Sequence, residues 1–312
     1  RGSSFLQLTN IGCRFDARPR SEVFIMMFWA SIPSPASNTI ELGPLTIHFY
    51  GILIGLGVVV AAIVAQKRYE RFGGQSAILD RVILWTVVIG FLGARIAYVS
   101  THTARYQGRW HATLFIWEGG LALYGGLTAG ALAAIYMMRK LDGDFIMFTD
   151  AVAVGLPLAQ AIGRFGNYFN QELFGTPTTL PWGLEIEAGR RPAEYAEFET
   201  FHPTFLYEAA WNVLITVPVI LLLERRRKLA KGARFPVYMM VYGVIRFLTE
   251  LLRTDTSFRL LGISRNGYVS IAAIIGGAIL FYIAQRRGVY YGDPADSDAA
   301  ESDAAEPDTV ET

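Results

Sequence analysis

A chain of 312 residues with 52% hydrophobic and 18% charged side chains, and a positive mean hydropathy, is too apolar for an ordinary soluble domain. It has the composition of a polytopic membrane protein. The net charge of +1 gives no argument for a nucleic-acid partner, and none is expected; the four histidines show no metal-ligand spacing, and the single cysteine, Cys13, excludes an intrachain disulfide and a cysteine-based metal cluster. Neither a metal nor a cofactor is expected.

Residues 1–27 carry Arg1, Arg14, Arg18 and Arg20 with no periodic apolar face and no clear cleavage site, and read as a leader outside the folded protein. Residues 28–46 are short, proline-rich and amphipathic, with Pro33, Pro35 and Pro44, and are expected at the membrane surface. Seven stretches of bilayer length follow: Ile47 to Ala65, Val82 to Ser100, Gly119 to Met138, Phe148 to about Phe169, Thr204 to Leu223, Phe235 to Leu252, and Tyr268 to Ala284. The expected fold class is therefore an all-α polytopic membrane protein over residues 28–290. Its seven transmembrane helices carry a small outer-face subdomain, about 170–203, between helices 4 and 5. That connector is rich in Gly, Pro and Glu and is expected to form short strands or an irregular cap. Residues 291–312 are an expected disordered tail; from Gly292 onward they hold eight acids and no base.

The connectors set the orientation. One alternating set, including Lys67, Arg68, Arg71, Arg139, Arg225, Arg234 and Arg286, holds fourteen basic residues; the other, including Arg105, Arg109, Arg190 and Arg265, holds six. The positive-inside rule puts the first set and the C-terminus in the cytoplasm and the N-terminus outside.

Polar groups at membrane depth are costly and mark candidate sites. In the first span His48 and Tyr50 sit near the outer interface, as part of an aromatic belt or of a site. The second span buries Arg95 among small residues, where it either snorkels to the surface or meets an acid or a phosphate. The third carries Tyr124 between Gly119-Gly120 and Gly125-Gly126; the glycines suit close helix packing, whereas the tyrosine hydroxyl needs a partner.

The fourth span ends in Gly163-Arg164-Phe165-Gly166-Asn167-Tyr168-Phe169-Asn170-Gln171-Glu172-Leu173-Phe174-Gly175. Here Arg164, Asn167 and Gln171 share one helix face, and a guanidinium flanked by amides suits a phosphate oxygen. His202 lies at the mouth of the fifth span, and Glu208 within it needs a cation. The sixth carries Tyr242, Arg246, Glu250 and Arg253 as one polar stripe, in which Arg246 and Glu250 stand at i and i+4. Arg95, Arg164, Arg246 and Arg253, oriented by Glu172, Glu208 and Glu250, would give a cavity with surplus guanidinium charge, fit for an anionic headgroup.

Three of these stretches also resemble the bacterial prolipoprotein diacylglyceryl transferases: Gly163 to Gly175, His202-Pro203-Thr204-Phe205-Leu206-Tyr207-Glu208, and Tyr242 to Arg253. The resemblance runs from about Ile32 to Arg287 with the motifs in family order. It implies seven spans with the N-terminus outside, in the bacterial plasma membrane. The partners it implies are phosphatidylglycerol, lipoprotein-precursor signal peptides and membrane lipids. The implied reaction transfers the diacylglyceryl group of phosphatidylglycerol to the lipobox cysteine, forming a thioether and releasing glycerol phosphate.

By the same resemblance Arg164 and Arg246 hold the phosphate, and Asn167, Tyr50 and Glu172 complete the site. Gly175 allows a close approach, and Glu250 orients Arg246; Arg95, Tyr207, Glu208 and Tyr242 are expected around the substrate. The chain departs from the family at Tyr124, where some members have a histidine proposed as the base. A tyrosine is a poor base at neutral pH. The proton acceptor is then His48, His202 or a carboxylate, or the arginine field ionises the thiol unaided. From Ser264-Arg265-Asn266-Gly267-Tyr268 no site residue is carried over.

The residues alone also fit a transporter of an anionic lipid or solute, although the repeats and interrupted helices typical of transporters are not evident. A non-enzymatic lipid-binding scaffold is a third reading. The transferase reading requires Arg164, Asn167, Tyr207, Glu208, Arg246 and Glu250 to converge on one cavity.

Overall fold

A computed structural model describes residues 31–43, 45–115, 119–226, 229–254 and 259–292. The expected leader, Cys13 and nearly all of the expected acidic tail lie outside these residues.

A hairpin of β1 (Thr39–Leu42) and β2 (Leu45–His48) leads into the first helix, with Thr39 opposite His48. Among the described residues seven long helices follow: α1 (Phe49–Arg71), α2 (Ser76–Thr101), α3 (Leu123–Lys140), α4 (Phe145–Asn170), α5 (Thr204–Arg225), α6 (Arg234–Leu252) and α7 (Arg265–Arg287). Among the described residues, six of them (α1, α2 and α4 to α7) are long and apolar enough to cross a membrane. α3 has only 18 residues, so a span over its whole length takes in Arg139 and Lys140, which with its glycines and tyrosines lower its mean apolar content.

Two sequence boundaries move for local reasons. Ile47 and His48 belong to β2 rather than to the first helix. Gly119 and Gly120 precede α3 with φ of 77° and 86°, a conformation that no right-handed helix admits.

α3 packs along α2 at a separation set by small residues. A Cβ on Gly93 would lie 2.2 Å from the Cβ of Ala129, and one on Gly125 would lie 2.2 Å from the Cβ of Ala97. Glycine at both positions is what lets the two backbones meet, the usual small-residue interface of membrane helices. α4 is the central element and touches α1, α5 and α6. It carries a proline, Pro157, within its length, and α5 contains a π turn at Asn212–Thr216.

One end of the bundle is fixed by a buried ionic knot. Asp150, on the second turn of α4, accepts hydrogen bonds from the backbone N–H of Gly232 (2.7 Å) and of Arg234 (3.0 Å), from Arg234 Nη1 (3.3 Å) and from the Tyr291 hydroxyl (2.9 Å). It thereby caps the start of α6 with a carboxylate. Glu224 of α5 bridges Arg234 (2.5 Å) and Arg68 of α1. Arg68 and Arg234, counted above among connector charges, are therefore buried members of this knot.

At the other end, residues 171–203 pair β3 (Leu184–Glu185) with β4 (Thr200–Phe201) over a core of Phe174, Leu184, Ile186, Phe201 and Phe205. Ile32 adds a bridge to Leu184. The expected short strands are present here, joined by 3-10 turns. A last pair, β5 (Arg259–Leu260) and β6 (Ile263–Ser264), precedes α7.

Candidate active site

Arg164 lies fourteen residues beyond Asp150 on α4, roughly 21 Å along the helix axis. α4 holds the arginine and Asn167 in its last turns, then ends abruptly. Gln171 takes a left-handed conformation (φ 50°), and its side chain turns away to accept the backbone N–H of Glu187 at 2.9 Å. The expected face of Arg164, Asn167 and Gln171 thus loses its third member, because the chain must turn there into the β3–β4 segment.

Glu208 of α5 is the hub. It is 1% exposed, and its carboxylate is shared among three helices. Arg164 Nη2 of α4 donates to Oε2; from α6, Tyr242 OH reaches Oε2 (3.4 Å), while Arg246 Nη1 (3.3 Å) and Thr249 Oγ1 (3.0 Å) reach Oε1. Because both guanidiniums bind the two oxygens of one carboxylate, their bonding nitrogens are at most about 8 Å apart.

Arg246 spans a second acid as well. Its Nη2 lies 2.9 Å from Glu250 Oε2, and Arg253 Nη1 lies 3.9 Å from the same oxygen. Glu250 Oε1 accepts from Ser264 Oγ (2.7 Å) and Asn266 Nδ2 (3.3 Å), which ties α6 to the start of α7. Among the described residues the cluster opposes three guanidiniums to two carboxylates. The Arg164 and Arg246 side chains are 18% and 16% exposed, whereas those of Glu208 and Glu250 are 2% exposed. The carboxylates of the cluster lie behind and the cations in front, and the exposed Glu172 is a third acid at this face.

Around this face Asn167 Nδ2 and Asn170 Nδ2 hold Glu172 Oε1 at 3.0 and 3.1 Å. Tyr50 stands within electrostatic reach of Arg164 and Glu172. Its ring lies against Gly166, where a Cβ would fall 2.0 Å from Tyr50 Cδ2. Gly175 joins the end of α6 to the entry of α5: its N–H donates to His202 O (2.9 Å), and a Cβ there would lie 3.1 Å from Leu252 O. Tyr124 OH donates to Asn266 Oδ1 at 3.3 Å, two hydrogen bonds from Glu250.

Three expected residues stand apart. Arg95 is buried in α2 with its five N–H groups directed at five backbone carbonyls, those of Thr113 (2.7 Å), Gly119 (2.5 Å), Gly120 (2.9 Å), Ala112 (3.0 Å) and Phe115 (3.0 Å). All of its donors are engaged by these carbonyls, and among the described residues no acid pairs with it. His202 and Tyr207 form a group of their own. Trp182 Nε1 donates to Tyr207 OH (3.0 Å), and the same hydroxyl shares a hydrogen bond with His202 Nδ1 (3.0 Å). Burial pushes the His202 pKa below the ordinary histidine value. Among the described residues, no hydrogen bond or ion pair joins these two side chains to the Glu208 hub.

Thr249, Ser264 and Asn266 were not singled out in the sequence. Thr249 could have been, as a polar residue one turn past Arg246 on the same stripe. Asn266 and Ser264 sit just ahead of the seventh apolar run, where nothing in the pattern shows that they turn back onto Glu250.

Membrane-length helices that gather buried arginines and carboxylates into one ionic cluster at one end define a multi-pass membrane protein. The family model for prolipoprotein diacylglyceryl transferase matches residues 37–283. The phosphatidylglycerol–prolipoprotein diacylglyceryl transferase of Cutibacterium acnes is 40% identical over 260 residues, covering 82% of this chain and 88% of the relative. The second such protein of Streptomyces coelicolor is 40% identical over 261 residues, 83% and 82% of the two chains. That of Bifidobacterium adolescentis is 40% identical over 277 residues, 84% and 82%. The chain belongs to the prolipoprotein diacylglyceryl transferase family.

Proposed function

We propose that this protein transfers the diacylglyceryl group of phosphatidylglycerol to the lipobox cysteine of lipoprotein precursors. The cysteine sulfur attacks the glycerol carbon that bears the phosphate and forms a thioether. The carbon–oxygen bond to the phosphate breaks, glycerol phosphate leaves with that electron pair, and the thiol proton passes to a base or to solvent. A free thiol ionises near pH 8.5, so a positive field at the site favours the thiolate. The departing phosphate gains charge, and guanidiniums already fixed in place stabilise it as it forms.

The observation that carries this reading is the shared carboxylate of Glu208, which holds Arg164 and Arg246 side by side with their cationic edges forward. Two forks from separate helices suit a phosphodiester. Asn167, Glu172 and Tyr50 line the same end of α1 and α4, and Gly175 and Glu250 fix the Arg246 helix. Tyr242 takes part through Glu208. Arg95 supports the wall by holding the carbonyls of Ala112, Thr113, Phe115, Gly119 and Gly120, and His202 with Tyr207 shapes the α5 entrance.

α3 is the seventh span in this reading. At 1.5 Å per residue its 18 residues cover about 27 Å, close to the hydrocarbon thickness. Setting aside Arg68 and Arg234, twelve basic residues still favour one set of connectors against six. The site and the 171–203 segment therefore face outward and the C-terminus lies in the cytoplasm.

The test is lipidation of a lipobox peptide by purified protein in vesicles. With phosphatidylglycerol as sole donor, the peptide gains the diacylglyceryl mass and glycerol phosphate appears in equal amount. No thioether product, together with anion flux across the vesicle wall, would establish the transporter instead.

A further inference from the structure

One turn beneath the Glu208 hub the same three helices meet again through polar side chains. Three members of the hub each have a counterpart four positions away on their own helix and one turn deeper: Gln160 below Arg164 on α4, Asn212 below Glu208 on α5, and Tyr238 below Tyr242 on α6. At this spacing the two members of a pair share a helix face, about 6 Å apart along the axis. Gln160 is the bridge between helices. Its Nε2 donates to the Tyr238 hydroxyl at 2.8 Å, and its Oε1 accepts from Asn212 Nδ2 at 3.3 Å. Thr216 Oγ1 donates to Asn212 Oδ1 at 3.2 Å, which turns the N–H side of the Asn212 amide toward Gln160. Asn212, Thr216 and Tyr238 are buried.

Two further contacts join this layer to the hub. The rings of Tyr238 and Tyr242 stack with centres 5.7 Å apart and planes at 10°. Trp211, next to Asn212, donates from Nε1 to the backbone carbonyl of Val241, next to Tyr242, at 3.1 Å. The π turn of α5 opens at Asn212, the residue that reaches across to Gln160. Such single π turns occur mostly at functional positions. Apolar side chains would also hold three helices together at this depth, but burial is non-directional and leaves one helix free to slide along another. Hydrogen bonds have a set length and angle, so they fix relative height. A glutamine suits the centre of the layer because its one amide both donates and accepts.

We propose that Gln160, with Asn212 and Tyr238, is a positioning layer for the transfer reaction. It sets the heights of α4, α5 and α6 against one another, and so the gap between the two guanidiniums that share Glu208. The layer itself touches no substrate. Two forks close on one phosphorus at one spacing only, and a misplacement of about 1 Å costs on the order of a hundredfold in rate. The inference rests on the transferase reading for its rate measurement and not for its structural one.

The experiment follows peptide lipidation over a titration of phosphatidylglycerol in Gln160→Met, Tyr238→Phe and the two combined, with a melt of each preparation. Gln160→Met keeps the length of the side chain and removes both bonds, whereas Tyr238→Phe removes one and keeps the ring. Tyr238→Phe is the milder change and carries the test even where Gln160→Met fails to fold. kcat should fall roughly tenfold or more in Gln160→Met and about two- to tenfold in Tyr238→Phe. KM should stay within about twofold, because a loosened pair still holds the ground-state anion and loses most where charge builds up. The combined variant should be no slower than Gln160→Met, which already lacks the Tyr238 bond. A second readout needs no turnover. In phosphatidylglycerol vesicles without peptide, arginine labelled with nitrogen-15 should dephase the lipid phosphorus less in either variant than in the wild type. A lower melting temperature with kcat unchanged would show that the layer only holds the helices together, and would overturn the proposal. Single effects that multiply in the combined variant would overturn the bridge given to Gln160. A wild type that lipidates no peptide is a failure of the transferase reading; the phosphorus signal then decides the positioning alone, and full dephasing in both variants would overturn it.

Discussion

Replacing Arg246 with lysine keeps the charge and removes the fork. Arg246 uses two different nitrogens for two acids on different helices, Nη1 to Glu208 at 3.3 Å and Nη2 to Glu250 at 2.9 Å. A single ammonium cannot hold both positions and also present a flat edge to a phosphate. One charge-assisted contact is then lost, worth about 1.5–3 kcal/mol. If that contact matters fully in the transition state, turnover falls roughly 10- to 150-fold. Stability should change little, since neither carboxylate is left without a cation. The assay is the initial rate of peptide lipidation over a titration of phosphatidylglycerol, with a circular-dichroism melt of the same preparation. Arg246→Gln serves as the contrast: with the charge gone, two buried carboxylates lose a shared partner, at a cost of about 3–5 kcal/mol, and the melt should fall with the rate. A lysine variant that turns over within about threefold of wild type would refute the argument that the fork, rather than the charge, does the work.

Gly166→Ala should drive the Tyr50 ring from its seat, since the new Cβ would lie 2.0 Å from Cδ2; the cost is about 1–3 kcal/mol, and the melt should recover when Tyr50→Ala is added. Asp150→Asn removes the carboxylate that caps α6 and pairs with Arg234, so the melt should drop by about 3–5 kcal/mol equivalent, while added phosphatidylglycerol still raises it. Burial lowers the His202 pKa, so the unfolded chain binds that proton more readily than the folded one. The stabilisation from neutral His202 is whole above the ordinary histidine value and fades as pH falls toward the lowered one. Wild type should therefore lose more thermal stability than His202→Gln between about pH 7 and about pH 5. Tyr124→Phe should keep turnover near wild type, measured by the same lipidation rate, because its hydroxyl is a donor to Asn266 rather than a base.

The helices were legible because hydropathy fixes where lipid-facing segments run, and most helices extend a few residues beyond the apolar windows, as α2 does in starting at Ser76. The candidate site was legible for a related reason: Arg164, Glu208, Arg246 and Glu250 are costly at membrane depth, and cost makes them conspicuous. What the pattern could not give was pairing. Glu208 needed a cation, but nothing in the sequence says that it takes one from α4 and another from α6. Arg95 looked like the other arginines, and only the return of the carbonyls of Ala112, Thr113, Phe115, Gly119 and Gly120 onto it shows a backbone cage. Asp150 was passed over as a single acid in an apolar run, although an unexplained buried carboxylate was a signal of the same kind as Glu208. α3 was read as a span from Gly119 onward, whereas the helix starts at Leu123, its glycines fit it against α2, and Arg139 and Lys140 fall within its 18 residues.

The central claim is that guanidiniums from α4 and α6 close on one lipid phosphorus, and a solid-state NMR distance measures that directly. With arginine labelled by nitrogen-15 and phosphatidylglycerol as the only phosphorus in the vesicle, the phosphate should dephase against guanidinium nitrogen at about 4 Å. The contact should weaken in Arg164→Lys, weaken in Arg246→Lys and disappear when the two are combined. A phosphorus signal that keeps its full dephasing in the double variant would contradict the account.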